Sequence, residues 1–231
     1  MTTSFPGFPK SFFTFLRQLA RNNDRAWFDA NKARYKQDVA APMSDFIVAM
    51  APRLGKISSH YVADPRPHGG SMFRIYRDTR FSRDKRPLKE HAACQFRHDA
   101  GRDAHAPGFY VHLAPKDVRI GGGIWLPPGP ELRAIREAIA RDPAGWSRVL
   151  GNRRLKAAFD GIRGDALVRT PKGFDDDHRH IADIKRKTFF VMRESTPSAA
   201  GEAGFIDEVD DTLRAAAPLM RFVCKALHLP F

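Results

Sequence analysis

Cysteine is nearly absent: Cys94 and Cys224 are the two in 231 residues. A pair so widely separated makes no disulfide framework and fits a reduced, intracellular protein. Long apolar runs are missing too, none approaching the roughly 20 residues that span a bilayer. The opening MTTSFPGFPK has neither a basic segment followed by an apolar core nor a cleavage-site pattern. A cytoplasmic protein without a membrane partner is therefore expected. Catalytic signatures are also lacking. Ser82 lies outside any GxSxG elbow, and neither GxGxxG, nor the Lys-Ser/Thr of a phosphate loop, nor a nucleic-acid-reading motif occurs. No cofactor is indicated, and no reaction is named. Acidic residues are scarce, 26 against 39 Lys and Arg, for a net charge of +13 and a pI near 10.2. That balance biases the chain toward anionic partners.

What is present is enough to build a core at this length without metals or disulfides: 42% hydrophobic residues, 18 of them Phe. One α+β domain over 1–231 is expected, helical at 8–55, with a sheet core at 72–127 and mostly helical at 130–229. Phe12, Phe15, Leu16 and Leu19 follow Pro9 at helical spacing, with Ser11 as a cap candidate. A second helical region starts at Asn23 or Asp24 and reaches Leu54, bent near Pro42. From Met72 the period falls to two, with Phe73 and Ile75 facing the core and Arg74 and Tyr76 the other side. Further strands are expected at 92–97, 108–114, 118–126 and 188–192, joined by connections that suit antiparallel, meander-type neighbours. A helix from Pro130, short helices near Trp146 and Phe159, and a closing helix over 202–229, interrupted at Pro218, complete the pattern. Helices, then sheet, then helices indicate α+β rather than alternating βαβ units.

The most chemically committed stretch is RIYRDTRFSRDKRPLKE, Arg74 to Glu90, with seven Lys or Arg and three acids. Arginine offers a planar fork of donors that matches two phosphate or carboxylate oxygens and does not titrate away. Arg74, Arg77, Arg80, Ser82, Lys85 and Lys89 are the candidate anion contacts, and Arg83 lies among them. Asp78 and Asp84 are the candidates for a catalytic base, or for holding the forks in place. Phe81 and Pro87 are expected to anchor and stiffen the loop.

RIYRDTRFSRDKRPLK resembles the hallmark of a widespread family of uncharacterised proteins catalogued as a domain of unknown function. The similarity continues through GFYVHL, GGGIWLP and PKGF, begins at FPGFPKSFFTFLRQLARNNDRAWFDANKARY, and covers almost the whole chain. Residues shared with the family pattern are Arg74, Tyr76, Arg77, Asp78, Arg80, Phe81, Ser82, Asp84, Lys85, Pro87 and Lys89. Family members carry Thr in place of Arg86 and an aromatic in place of Leu88, so the resemblance gives Arg86 no role. It implies no reaction, substrate or cofactor.

Gly121, Gly122 and Gly123 would let a backbone approach a ligand, although a bulge or close strand packing explains them as well. PKGFDDDHRH, 171–180, joins three carboxylates to two histidines, but adjacent aspartates cannot converge on one ion, so they read as helix caps and no metal is expected. Lys172 in that turn is an additional candidate for the basic site. So are Tyr76 and His112; Tyr110 and His112 share the sheet face opposite Phe109, Val111 and Leu113. The leading expectation is a site for an anionic small molecule, phosphorylated or carboxylated, with catalysis left open. A nucleic-acid-binding module is one alternative. The other is a structural or interaction protein whose Arg–Asp cluster forms an internal ion-pair lattice.

Overall fold

A computed structural model describes residues 5–101 and 105–231; part of the HDAGRDAHAPG connection, residues 102–104, lies outside them. The fold is α+β. Its five-stranded antiparallel sheet has the order β1 (Tyr61–Val62), β2 (Ala92–His98), β3 (Gly108–Leu113), β4 (Val118–Ile124), β5 (Phe189–Ser195). Spatial order follows chain order, a meander whose last link is a long helical excursion. Alternation along β3 and β4 sends Phe109, Val111, Leu113, Val118, Ile120 and Ile124 to one face, where all are buried.

Helices cover that face. From the N-terminus come α1 (Lys10–Arg21), α2 (Arg25–Ala30), α3 (Lys32–Tyr35), a π-helical turn at Lys36–Ala40 and α4 (Ala41–Gly55). Between β4 and β5 lie α5 (Gly129–Arg141), α6 (Pro143–Leu150), α7 (Arg153–Ala158) and α8 (Ile181–Ile184). The chain closes with α9 (Pro197–Ala200) and α10 (Phe205–Ala226), which crosses β4 and packs on α4. Phe8, Phe46 and Phe205 meet at ring-centroid separations of 5.4–6.1 Å, and Phe46 reaches Phe96 of β2 at 6.4 Å. Each such buried Phe contributes about 1.5–3 kcal/mol over an exposed one. Among the described residues, no helix is long and apolar enough to cross a membrane.

Several local expectations need correcting. Ser11 does not cap α1; Pro9 occupies that position, with no side-chain cap bond. Asp24 does cap α2, accepting from the Trp27 N–H at 2.8 Å. At Pro42 the second helical region changes geometry in the turn before it: Pro42 has no N–H for the Asp38 carbonyl, and Lys36–Ala40 widens into π geometry. Pro218 does not interrupt α10, which runs through it. The aspartates of 175–177 do not cap α8, whose N-cap is His180.

The largest correction is at 72–76, which forms no named strand. Met72 bridges Cys94 and the Phe73 N–H reaches the Ala93 carbonyl at 2.9 Å, so this piece pairs with β2 beyond β1. The chain then leaves the ladder, and strand alternation ends with it. Met72 packs on the core, Phe73 turns to the opposite face against Tyr110 at 6.1 Å, and Ile75 is buried beyond the break.

Candidate functional site

The basic stretch is a closed loop. Its base is a bridge between Tyr76 and Leu88, with Arg77 N–H to the Pro87 carbonyl at 2.9 Å and Lys89 N–H to the Ile75 carbonyl at 2.8 Å. Asn23, just before α2, serves that base as a strand neighbour would. Its amide donates to the Leu88 carbonyl at 3.0 Å and accepts the Leu88 N–H at 3.1 Å. Inside the loop the charges pair with one another. Arg77 meets Asp84 at 2.6 Å and Ser82 Oγ at 3.5 Å, Arg80 forks onto Asp78 at 2.7–3.2 Å, and Arg86 joins Asp84 at 2.7 Å and Glu90 at 2.5 Å. Lys85 and Lys89 donate to the Thr79 and Arg74 carbonyls at 3.0 and 2.9 Å. Arg74 and Arg83 make no ion pair among the described residues.

These bonds set the carboxylates. The Arg80 fork holds Asp78 down at about 2, and Arg86, then Arg77, hold Asp84 well below the usual range. Groups so acidic suit the clamping of guanidinium groups better than moving a proton near neutral pH. Phe81 anchors nothing: it is 95% exposed, touched by the Arg80 guanidinium at 5.8 Å from its ring centre.

Beside the loop, on the sheet face turned away from α10, lies a cleft of 660 Å³. Its floor includes the backbone of Gly122 and Gly123. At Gly121 a Cβ would stand 2.0 Å from the Val191 carbonyl oxygen, and at Gly123 2.2 Å from that of Phe189, so β4 and β5 approach as closely as they do because neither position carries a side chain. Phe73 forms one wall, and Trp125 with Phe190, 5.4 Å apart, another. The polar lining contains His91, Tyr110 and His112; the Tyr110 hydroxyl lies 3.2 Å from His112 Nδ1, and the His91 and His112 rings are 4.2 Å apart. Arg119, Arg163 and Glu194 bring charge. Arg119 pairs with Asp117 at 2.6 Å, while the ion-pair partner of Arg163 among the described residues is Asp160, 3.2 Å away and 93% exposed.

Burial pushes His91 down to about 4, with His112, Lys89 and Arg119 adding to it and Asp117 opposing. His112 is lowered for the same first reason, and Tyr110 is pushed up to about 12 by burial. Both imidazoles are therefore neutral at pH 7, each offering one donor and one acceptor. Lys89 links loop to cleft: its ammonium sits 5.3 Å over the Phe73 ring, and desolvation, then Arg74, lowers its pKa.

A family model described as "Conserved hypothetical protein (DUF2461)" matches residues 11–222. The chain belongs to this family. No curated protein matches it. In this DUF2461 chain the expected face of β3 holds: Tyr110 and His112 line the cleft, and Phe109, Val111 and Leu113 are buried.

Lys172 is not brought to the loop by any hydrogen bond or ion pair among the described residues; Gly173, next to it, lies against the Arg133 guanidinium of α5. Asp175 accepts the Asp177 N–H at 3.0 Å, and Thr170 donates to Asp176. His180 Nε2 lies 2.9 Å from Ser147 Oγ, so the end of this segment is tied to α6. Sequence reasoning missed Asn23, His91, Arg119, Trp125, Arg163 and Phe190. Arg119 and Phe190 alternate with apolar neighbours along their strands, a readable sign; the others meet only through the fold.

Proposed function

We propose that the protein binds a small organic anion, carboxylate or phosphate, whose apolar body lies in the cleft. The observation that carries this reading is the lining itself: aromatic walls on 660 Å³, within the usual range for ligand sites, with a few convergent polar groups. Phe73, Trp125 and Phe190 would take the apolar body. Arg163, paired with an exposed carboxylate, would take the anionic group with Arg119 beside it. Neutral His112, aligned by Tyr110, would orient the ligand, and any proton transfer would fall to this pair. The loop of Arg74, Arg77, Arg80, Ser82, Lys85 and Lys89, with Asp78 and Asp84, is then the brace of the cleft rim, and Lys89 its contact with the ligand field. This assignment makes the loop largely an ion-pair lattice. A nucleic-acid reading retains one supporting observation, the exposed Phe81 beneath Arg80.

The test uses 1-anilinonaphthalene-8-sulfonate, an aromatic anion that fluoresces in apolar surroundings. Saturable one-to-one binding is expected, weakened about tenfold by Arg163→Ala, the scale of a lost charge-assisted hydrogen bond. Trp125→Ala should weaken it as well. Unsaturable binding, or affinity unaltered in both variants, would sink the proposal.

A further inference from the structure

The geometry points to a second site, at the opposite end of β2: a transition-metal site for a zinc-class divalent cation, formed by His60, His98 and Asp99. The sheet register builds it. Tyr61 pairs with His98, and the Asp99 N–H bonds the His60 carbonyl at 2.8 Å, so three residues drawn from two distant stretches stand together. One ligating atom from each lies within 4.8 Å of the others. Asp99 places Oδ2 3.0 Å from His60 Nδ1 and Oδ1 3.1 Å from His98 Nδ1. Donors around a tetrahedral zinc stand about 3.3 Å apart, given bonds of about 2.0–2.2 Å.

The tautomer of His98 gives the cluster its direction. Its Nε2 is 2.9 Å from the Pro230 carbonyl oxygen, which can only accept, so Nε2 carries the proton. In that tautomer Nδ1 presents a lone pair with Asp99 Oδ1 3.1 Å away, and the side chain is wholly buried. The Ala100 N–H, at 3.1 Å, is the one proton offered to it. An imidazole lone pair and a carboxylate oxygen 3.1 Å apart repel, and a metal cation bound between them turns that repulsion into shared ligation. A ring whose other nitrogen is fixed by a backbone carbonyl is the usual outer-shell arrangement of a metal-bound histidine. His60 supplies its Nδ1 by moving its proton to Nε2, and its ring stacks on that of His98 at an interplanar angle of 8°. With three protein ligands and Asp99 partly exposed, the fourth position is left for water or a small ligand.

Calorimetric titration of the metal-stripped full chain with zinc chloride is expected to show one strong site. Cobalt(II) in its place should give the visible absorption of a four-coordinate ion. His60→Ala and Asp99→Asn alter a half-buried and an exposed side chain and spare the His98–Pro230 contact, so both should fold and lose about 10–100-fold in affinity or more. Absence of stoichiometric binding in the parent chain, or binding undiminished in both variants, would overturn the proposal.

Discussion

His91 and His112 face each other across 4.2 Å, and neither can take a proton without opposing the other and the nearby cations. Burial is the first cause, and it leaves the folded His91 near 4 against an ordinary value of 6.5. Between those values the unfolded chain binds more protons than the folded one, so stability rises with pH there. The contribution of neutral His91 is thus complete above 6.5 and is lost as the pH falls toward 4. Melting curves across that window should show a declining midpoint in the parent and a flatter course in His91→Asn, with little difference above pH 7. Parallel curves would show that His91 is not the group responsible. The loop carboxylates cannot mimic this, because Asp78, at about 2, titrates lower. His112 was legible from strand alternation alone. His91 was not, because it adjoins a basic string that reads as one block of charge.

At the scale of elements, β4 shows how one run of residues answers two needs. Gly121 and Gly123 let the strand lie close to β5, and the backbone of Gly122 and Gly123 forms part of the cleft floor. Gly121→Ala would push a methyl group into the Val191 carbonyl of the edge strand β5, and relieving the clash would mean shifting backbone that is bonded to β4 along its whole length. The expected cost is about 1–3 kcal/mol, as for other overpacking, at about 2–4 °C of Tm per kcal/mol for a chain of this size. A melting temperature equal to the parent's would mean β5 can yield. Most elements were readable, because periods of two and near four survive wherever one face meets the core, as in β3 and α1. Errors cluster where local chemistry and tertiary packing disagree. Pro218 signals a break, yet α10 buries residues on both sides of it, Leu213 and Ala216 before and Leu219 and Val223 after. Phe73 and Ile75 look like one strand face, yet the ladder ends between them.

The whole molecule carries +13, and its densest basic stretch spends much of that charge internally, with Arg77, Arg80 and Arg86 all paired to carboxylates of the same loop. The loop was conspicuous in sequence because its residues are contiguous. The cleft was not, because Phe73, His91, Tyr110, Arg119, Trp125, Arg163 and Phe190 come from separate segments that only the sheet assembles. These two features give different responses to a single-stranded oligonucleotide. If excess charge alone attracts it, binding is weak and fades steeply with salt, by about 10³–10⁵ between 50 and 200 mM for 6–10 phosphate contacts. Phe81→Ala would then change little. If Phe81 under Arg80 is a stacking platform, removing the ring costs about 1–3 kcal/mol per stacked base. The carboxylates already paired with Arg77, Arg80 and Arg86 favour the first outcome. Fluorescence anisotropy with labelled oligothymidine should therefore find salt-sensitive binding that Phe81→Ala leaves intact, and salt-resistant binding abolished by that substitution would transfer the function from the cleft to the loop.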